Sequence, residues 1–585
     1  MTSIRTRSVR GTLLALAALA GSIFVPAVGH AAATFLVGAA ARDISPTPAE
    51  IATNRFFLGG YGFGSGRVGT QDHFVQLPLG DRHAVGVMGK NALGVDTVPD
   101  NPFAPWVRAI AIGDGTHTIV LTDLDNQGTF PAYKPNFSTG KLRPYGFDDI
   151  RAAAAAAAPG LDARSIVISS DHSHAGQDMT GVWGFVPDEY LARVKDLAVQ
   201  AIVDAYTHMQ PAILKQSAIE TPQPCGPDSG LPIRIFANQF CGGSFAGVLG
   251  PDWEHANDHT DAQVRVLRAF HPSDPNGTPF AVLVNAAIHA TVGGSDNRYV
   301  SSDWVSTLSK YVERQYPGAT AVTIVGDVGR TQPNDRSCVV DPGHPGAFQE
   351  PLSGAWVPFD VDPQAPDSCP MSQFARRVQA WVDKAIADSE QTISKPGVAY
   401  KELFIRDLSD SVLLFGLDYG GDFAGAPIAR GILPPYLTGT ILGTWVGAYR
   451  VGDLLMVAAP GEAYPGIRDG LLAAVKTTQP TWIFGLANDQ LGYLIAPTPK
   501  AYPEPIRRSF FDGDPHTPTS WGVSPIDNDN YFFNVSPTIG DHVMCTMIKG
   551  ALQLGFKKVH SPLKCVLWAL EVNESGPGDP TWTAP

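Results

Sequence analysis

Positive charge is what this chain has least to spare: 42 Lys+Arg stand against 56 Asp+Glu, and only 17% of its 585 residues are charged. With a formal net charge of −14 and no basic stripe, it has nothing with which to release counterions from nucleic acid or hold an anionic membrane, and both drop out as main partners. Long apolar runs are equally scarce. Beyond the amino-terminal segment nothing reaches the roughly 18 continuous apolar residues a bilayer span requires, so no integral membrane anchor is expected. Cysteine is sparse, six in all, and no pair shows the C-x-x-C spacing of a structural zinc site or a redox couple. What is plentiful is apolar and turn-forming: 44% hydrophobic residues, 60 Gly and 49 Pro. That is the composition of a large globular protein with an ample core.

The amino terminus reads as an export signal. Arg5, Arg7 and Arg10 precede an apolar run from Leu13 to Val28, and Gly29-His-Ala-Ala-Ala33 supplies small residues for cleavage. Residues 1–32 are therefore expected to be a signal peptide and the protein to be secreted. The cysteines fit an oxidising compartment. They fall into three near neighbours, Cys225 with Cys241, Cys338 with Cys369 and Cys545 with Cys565, and of the possible pairings this sequential set is preferred as loop-stapling disulfides.

Short apolar, β-branched runs that end abruptly in polar residues and glycine recur along the chain: 118–123, 165–171, 281–285, 321–327, 454–460 and 481–485. Such runs predict buried strands of a mixed or parallel sheet. Helical stretches lie between them, at the alanine run 152–158 and at 188–206, 304–316, 372–389 and 466–475. The alternation predicts an α/β fold. In open α/β sheets ligands bind outside the carboxyl ends of the strands, and the unusual polar residues of this chain collect there.

Singly these residues are ambiguous. His172 and His174 leave the same face of an extended backbone, which suits a metal ligand with a catalytic neighbour, or a hydrogen-bonded loop pair. His289 is a ligand or a core histidine. Glu462, behind Pro460-Gly461, is a ligand or an acid favoured by a helix dipole. Tyr493 alone reads as packing. Together, two imidazoles, a carboxylate and a phenol make a plausible zinc set.

The ordered series resembles the neutral ceramidase family, zinc amidases that split the N-acyl bond of ceramide. Ser170-Asp-His-Ser-His-Ala-Gly176 resembles the family's T-H-T-H-S-G/A-P, and Asn285-Ala-Ala-Ile-His289 with Ser301-Ser-Asp303 resembles its N-x-x-x-H and S-x-D. Pro460-Gly-Glu-Ala-Tyr464 resembles P-G-E-F-T, and Gly485 to Tyr493 resembles the segment ending in the zinc-binding tyrosine. Val37 to Ser45 and Gly59-Gly-Tyr-Gly62 fit the amino-terminal pattern, so the match runs in order from about residue 36 to about 515. The resemblance implies zinc held by His172, His289, Glu462 and Tyr493. It implies His174 acting on the scissile amide, and Tyr502 with a backbone amide near Gly60 or Gly62 holding the carbonyl oxygen. Arg234 lies in the interval of the family's substrate arginine, without its N-R-S-P context.

Two departures stand out. The family's G-D-V-S-P-N becomes Gly326-Asp-Val-Gly-Arg-Thr-Gln-Pro-Asn334, so a serine sometimes assigned as nucleophile is Gly329, with Thr331 as a stand-in. The family's carboxy-terminal immunoglobulin-like sandwich has no room after the last matching motif, and residues 540–555 read as a helix closing the main domain. Residues 33–585 are thus expected to form one large catalytic domain with insertions. Zinc lowers the pKa of bound water from about 15.7 to about 7, which makes a covalent step unnecessary, with His174 as acid-base. Asp303 and Asp327 are candidates to orient a ligand histidine through its other ring nitrogen, or ordinary loop caps. Trp183, Phe185 and Val186 line an apolar groove or belong to the core. The expected activity is hydrolysis of an N-acyl amide, ceramide or a related lipid; a metallophosphoesterase and a non-catalytic lipid-binding relative are the alternatives.

Overall fold

A computed structural model describes residues 34–61, 82–133, 140–184, 186–225, 230–238, 260–409, 440–496 and 538–560, with single positions beside these stretches. The signal segment, Gly62, Phe185, Cys241 and Tyr502 lie outside the described residues.

Eight strands form one long mixed sheet: β1 (Phe35–Asp43), β2 (Trp106–Gly113), β3 (Thr118–Leu124), β4 (Ile166–Ser170), β5 (Gln210–Glu220), β6 (Gln263–Phe270), β7 (Ala281–Ala286) and β8 (Thr320–Val325). Their order is β8-β7-β6-β5-β1-β2-β3-β4, with a short strand at Gln391–Thr392 paired to β5 off this path. Only the two outer pairs, β8 with β7 and β4 with β3, are parallel. A second sheet holds β9 (Val398–Ser409), β10 (Thr440–Val451), β11 (Leu454–Ala458) and β13 (Trp482–Phe484). Two short strands, β12 (Glu462–Ala463) and β14 (Tyr493–Leu494), pair in parallel at the end of this sheet.

Period-two alternation decides which face goes where. Along β2, Val107, Ala109 and Ala111 face outward to helices, while Ile110 and Ile112 point to a central core. β8 divides likewise, with Val322 and Ile324 inward and Ala321 and Val325 outward, and so does β11, with Met456 inward and Leu455 and Val457 outward. The inward residues of both halves of the long sheet meet those of the second sheet, including Trp482 and Phe484, in one apolar core. Three β faces therefore enclose a shared interior, each backed by a helix pair. The first pair is α1 (Phe147–Ala157) with α2 (Asp188–Thr207), the second α3 (Val305–Gln315) with α4 (Ser368–Ser389), and the third α5 (Pro465–Ala474) with α6 (Ile539–Gln553). A fully buried side chain such as Leu283 or Phe484 contributes roughly 1.5–3 kcal/mol.

This is the predicted α/β class, built differently from an open sheet with helices on both faces. The sheet coils, because neighbouring strands rotate by about 20–25° and seven interfaces accumulate roughly half a turn. Its two edges meet the same segment after β13: the Gly485 amide donates to the Val325 carbonyl at the end of β8, while the amides of Ser170 and Asn488 exchange bonds with Leu486 and Ile168 of β4. Disulfides join Cys338 to Cys369 and Cys545 to Cys565, as the sequential pairing anticipated, and Cys225 is also disulfide-bonded.

Candidate metal centre

Four of the eight non-glycine residues with positive φ among the described residues, His172, Arg330, Leu486 and Asn488, lie within five residues of the ends of β4, β8 and β13. Each such conformation costs on the order of 1–3 kcal/mol, and strain of this kind gathers at functional sites.

The turn after β4 shows how the strain is held. Asp171 is buried, and its Oδ1 accepts the amides of Asn126 and Ser173 at 2.8 and 3.0 Å, which lets the chain turn at His172 with φ +59. The two histidines are thus brought together by a left-handed turn rather than by the extended backbone the spacing suggested. Their rings meet edge to face at 4.7 Å, with Nε2 atoms 3.2 Å apart. His289, three residues beyond β7, presents its ring to the same point, and one nitrogen from each of His172, His174 and His289 lies within 4.8 Å of the others.

Glu462 completes the group. Its Oε2 lies 3.1 Å from His289 Nε2 and 3.4 Å from His172 Nε2. Tyr493 is the register partner of Glu462 in the β12–β14 pair, so both side chains leave one face. The Arg330 guanidinium sits 5.6 Å from the Tyr493 ring centre.

Backbone carbonyls orient the imidazoles. His172 Nδ1 lies 2.8 Å from the Gln127 carbonyl and His289 Nδ1 lies 2.8 Å from that of Thr331, which leaves each Nε2 facing the site. This corrects the expectation for Asp303 and Asp327. Asp303 accepts the amides of Val292, Gly293 and Trp304 at 2.9–3.1 Å and shapes the loop after His289. Asp327 is buried beside Asp261, whose carboxylate is bonded twice by Arg265. Neither reaches a histidine ring. Trp304, through Nε1 to the His289 carbonyl at 3.1 Å, and Gln127 are supporting residues the motifs did not point to. Gln127 carries the usual signal, a polar run directly after an apolar strand.

His174 is held by packing instead. Tyr61 meets its ring edge-on at 4.7 Å, and Arg82 grips the carbonyls of Gly59 and His174 at 2.9 and 2.8 Å. Gly60, at φ +83, lies so close that a Cβ there would stand 2.2 Å from His174 Cγ. Arg234 donates to the Pro224 carbonyl and to Asn334 Oδ1, supporting the end of the Gly326 to Asn334 segment. Val186 belongs to the core beneath α1 and α2, and Trp183 is buried.

Burial alone would raise the Glu462 carboxyl, but the charges and hydrogen bonds of His172 and His289 overturn it and hold the group well below the usual carboxylate range. Burial, and then the neighbouring charges of His172 and His289, push His174 well below an ordinary imidazole. At neutral pH the cluster thus pairs an anionic carboxylate with a neutral His174. Imidazole nitrogens with anchored tautomers and one ionised carboxylate are the donor chemistry that zinc takes, and the residues fit such an ion.

Neither a family model nor a curated protein matches the sequence. Solved structures match its fold. The chain resembles the crystal structure of neutral ceramidase from Pseudomonas aeruginosa at TM-score 0.57 and 15% identity, over 91% of this chain and 77% of that one. It resembles a ceramidase complexed with C2 at TM-score 0.56, again with 15% identity and the same coverage of each chain. At this identity the likeness is one of architecture: the chain has the fold of the neutral ceramidases.

Proposed function

We propose that the protein is a secreted, zinc-dependent hydrolase that cleaves an N-acyl amide, ceramide or a related lipid. The observation that carries this reading is the convergence of His172, His174, His289 and Glu462 at strand ends, within a fold shared with neutral ceramidases.

His172, His289 and Glu462 would hold the ion, with Tyr493 beside Glu462 as the fourth donor. Zinc bound there supplies a Lewis acid and lowers the pKa of water. The remaining work falls to the chain itself. His174, kept neutral and presented through Nε2, takes a proton from the attacking water and returns it to the departing nitrogen. Such acid-base transfer contributes about 10²- to 10⁴-fold. The backbone of Gly60, packed on the His174 ring, fixes where that nitrogen points.

A serine route is closed sterically at the family's position. A Cβ on Gly329 would stand 2.3 Å from Tyr464 Cδ1 and 2.6 Å from the Ala463 carbonyl oxygen. Thr331 is buried; its carbonyl holds the His289 ring and amide, and its Oγ1 has no hydrogen-bonded base to activate it among the described residues.

Metal analysis combined with assays on an N-acyl sphingoid and an aryl phosphate tests this function. Zinc near one per chain with amide cleavage supports it. Phosphate release alone assigns a phosphoesterase, and zinc without turnover a binding protein; either result overturns the amidase reading.

A further inference from the structure

We propose that Gln490 is a specificity-determining residue of the metal centre and that, with Gln127, it takes a hydroxyl of the substrate beside the scissile amide. The proposal rests on the hydrolase reading above and narrows it to hydroxyl-bearing amides. Backbone bonds on both sides fix the segment that carries Gln490. Its own N–H donates to Asp489 Oδ1 at 2.7 Å, that of Leu491 to the Pro460 carbonyl at 3.0 Å, and that of Glu462 to the Gly492 carbonyl at 2.8 Å. Gln490 is thereby locked to the turn that presents Glu462, three residues before Tyr493.

The side chain is the unusual feature. Gln490 is only 8% exposed, yet neither end of its side-chain amide makes a hydrogen bond among the described residues, and Oε1 is fully buried. A buried amide left unpaired costs stability, and folded chains seldom keep one without a use for it. Neighbouring amides are committed: Gln177 Nε2 donates to the Asp125 carbonyl at 2.7 Å, and Asn126 Nδ2 to Thr129 Oγ1 at 2.9 Å. The Gln490 amide stands against Gly128, where a Cβ would come 3.2 Å from Nε2. Gly128 follows Gln127, whose carbonyl orients His172 and whose Oε1 is a second buried acceptor without a partner. Gln127 Nε2 reaches only His172 Nδ1, at 3.4 Å, and that nitrogen already donates to the Gln127 carbonyl. The Gln127 side chain packs on Gly59, next to Gly60 and the His174 ring.

Two unpaired acceptors, in a centre that also holds an anionic Glu462, select the chemistry they receive. A carboxylate or phosphate would set negative charge against those oxygens, and an ammonium accepts nothing from Nε2. A hydroxyl does both, donating to one oxygen while accepting from the amide nitrogen. A site built to bond a substrate hydroxyl rejects the analogue lacking it far more strongly than an apolar pocket rejects one methylene. The hydroxyl belongs either to the amine half of the substrate or to the acyl carbon next to the carbonyl, and paired substrates separate the two.

Initial rates on the zinc-loaded full chain would compare N-lauroyl ethanolamine with N-lauroyl propylamine, and N-(α-hydroxylauroyl) propylamine with the same propylamide. In at least one pair kcat/KM is expected to favour the hydroxylated amide by about tenfold or more, and the pair that shows it assigns the half. Gln490→Met keeps the length of the side chain and removes both polar atoms. The ratio should then fall toward one while zinc content holds. Because an unpaired buried amide is replaced, this variant is also expected to match or exceed the thermal midpoint of the parent protein. A midpoint that falls with the ratio unchanged would assign Gln490 to structure alone and overturn the proposal. Cleavage of every amide at equal rates would overturn it too, with the hydrolase reading left intact. Cleavage of none overturns that reading and the subsite with it.

Discussion

Glu462 Oε2 lies 3.1 Å from His289 Nε2, although 173 positions separate the two residues in the chain. One follows β11 and the other β7, strands of different sheets. Their contact shows that the candidate centre is made where the coiled sheet and the second sheet meet, and the strongest tests act on that junction.

Replacing His172 by Ala removes a ring whose Nε2 faces both Glu462 and His174. Zinc is expected to fall from about one per chain to a small fraction of that, with hydrolysis lost. Retention of both metal and hydrolysis would show the assignment of the centre to be wrong.

Dialysis against a chelator is expected to lower the thermal midpoint, and added zinc to restore it. An ion present at a thousand times its Kd stabilises the folded chain by about 4 kcal/mol. A midpoint indifferent to chelation would argue against a bound ion.

Gly60→Ala forces His174 aside, because the new methyl would overlap its ring and the backbone there has φ +83. Misplacing a reacting group by about 1 Å costs on the order of 10²-fold. kcat should therefore drop by one to two orders of magnitude while zinc content is preserved. A loss of zinc instead would move His174 from proton transfer to metal binding.

Gly329→Ser restores the serine found in the resembled motif, yet meets Ala463 and Tyr464. Overpacking of this kind costs about 1–3 kcal/mol, and no gain in turnover is expected. Neither the parent protein nor Thr331→Ala should show a pre-steady-state burst, since burst kinetics mark a covalent intermediate. Loss of an acyl-enzyme that the parent protein accumulates would replace the water mechanism with a covalent one.

Burial pushes the Glu402 carboxyl up to about 7, with the Arg151 charge pulling the other way. The folded chain then holds a proton that the unfolded chain releases near its ordinary pKa of about 4.3. This contribution is fully present below that ordinary value and is lost as pH rises through 7, a difference of roughly 3–4 kcal/mol. Between these limits the urea midpoint of the parent protein should fall with rising pH more steeply than that of Glu402→Gln. Parallel slopes would contradict it.

Much of the site was legible from residue types at strand ends. His172, His289 and Glu462 all stand within four residues of an apolar strand, and the structure brings them together. Other parts were not legible. The carbonyls of Gln127 and Thr331 orient the rings, and a backbone carbonyl has no side-chain signature. Strands β1, β2, β5, β6, β9 and β10 lie outside the apolar runs of the sequence because charged and small residues interrupt their pattern; buried Arg265 and Arg268 are paired with Asp261 and Glu390.

The order of elements, their alternating faces and the polar caps on the strands follow from local chemistry, since burial of one face and exposure of carboxyl-end turns are set within a few residues. The coiling of the long sheet, its closure by a second sheet and the meeting of β4, β8 and the β13 segment came only with the tertiary structure. Strand twist accumulates across seven interfaces and the partners lie hundreds of residues apart, so no local pattern encodes where the two edges arrive.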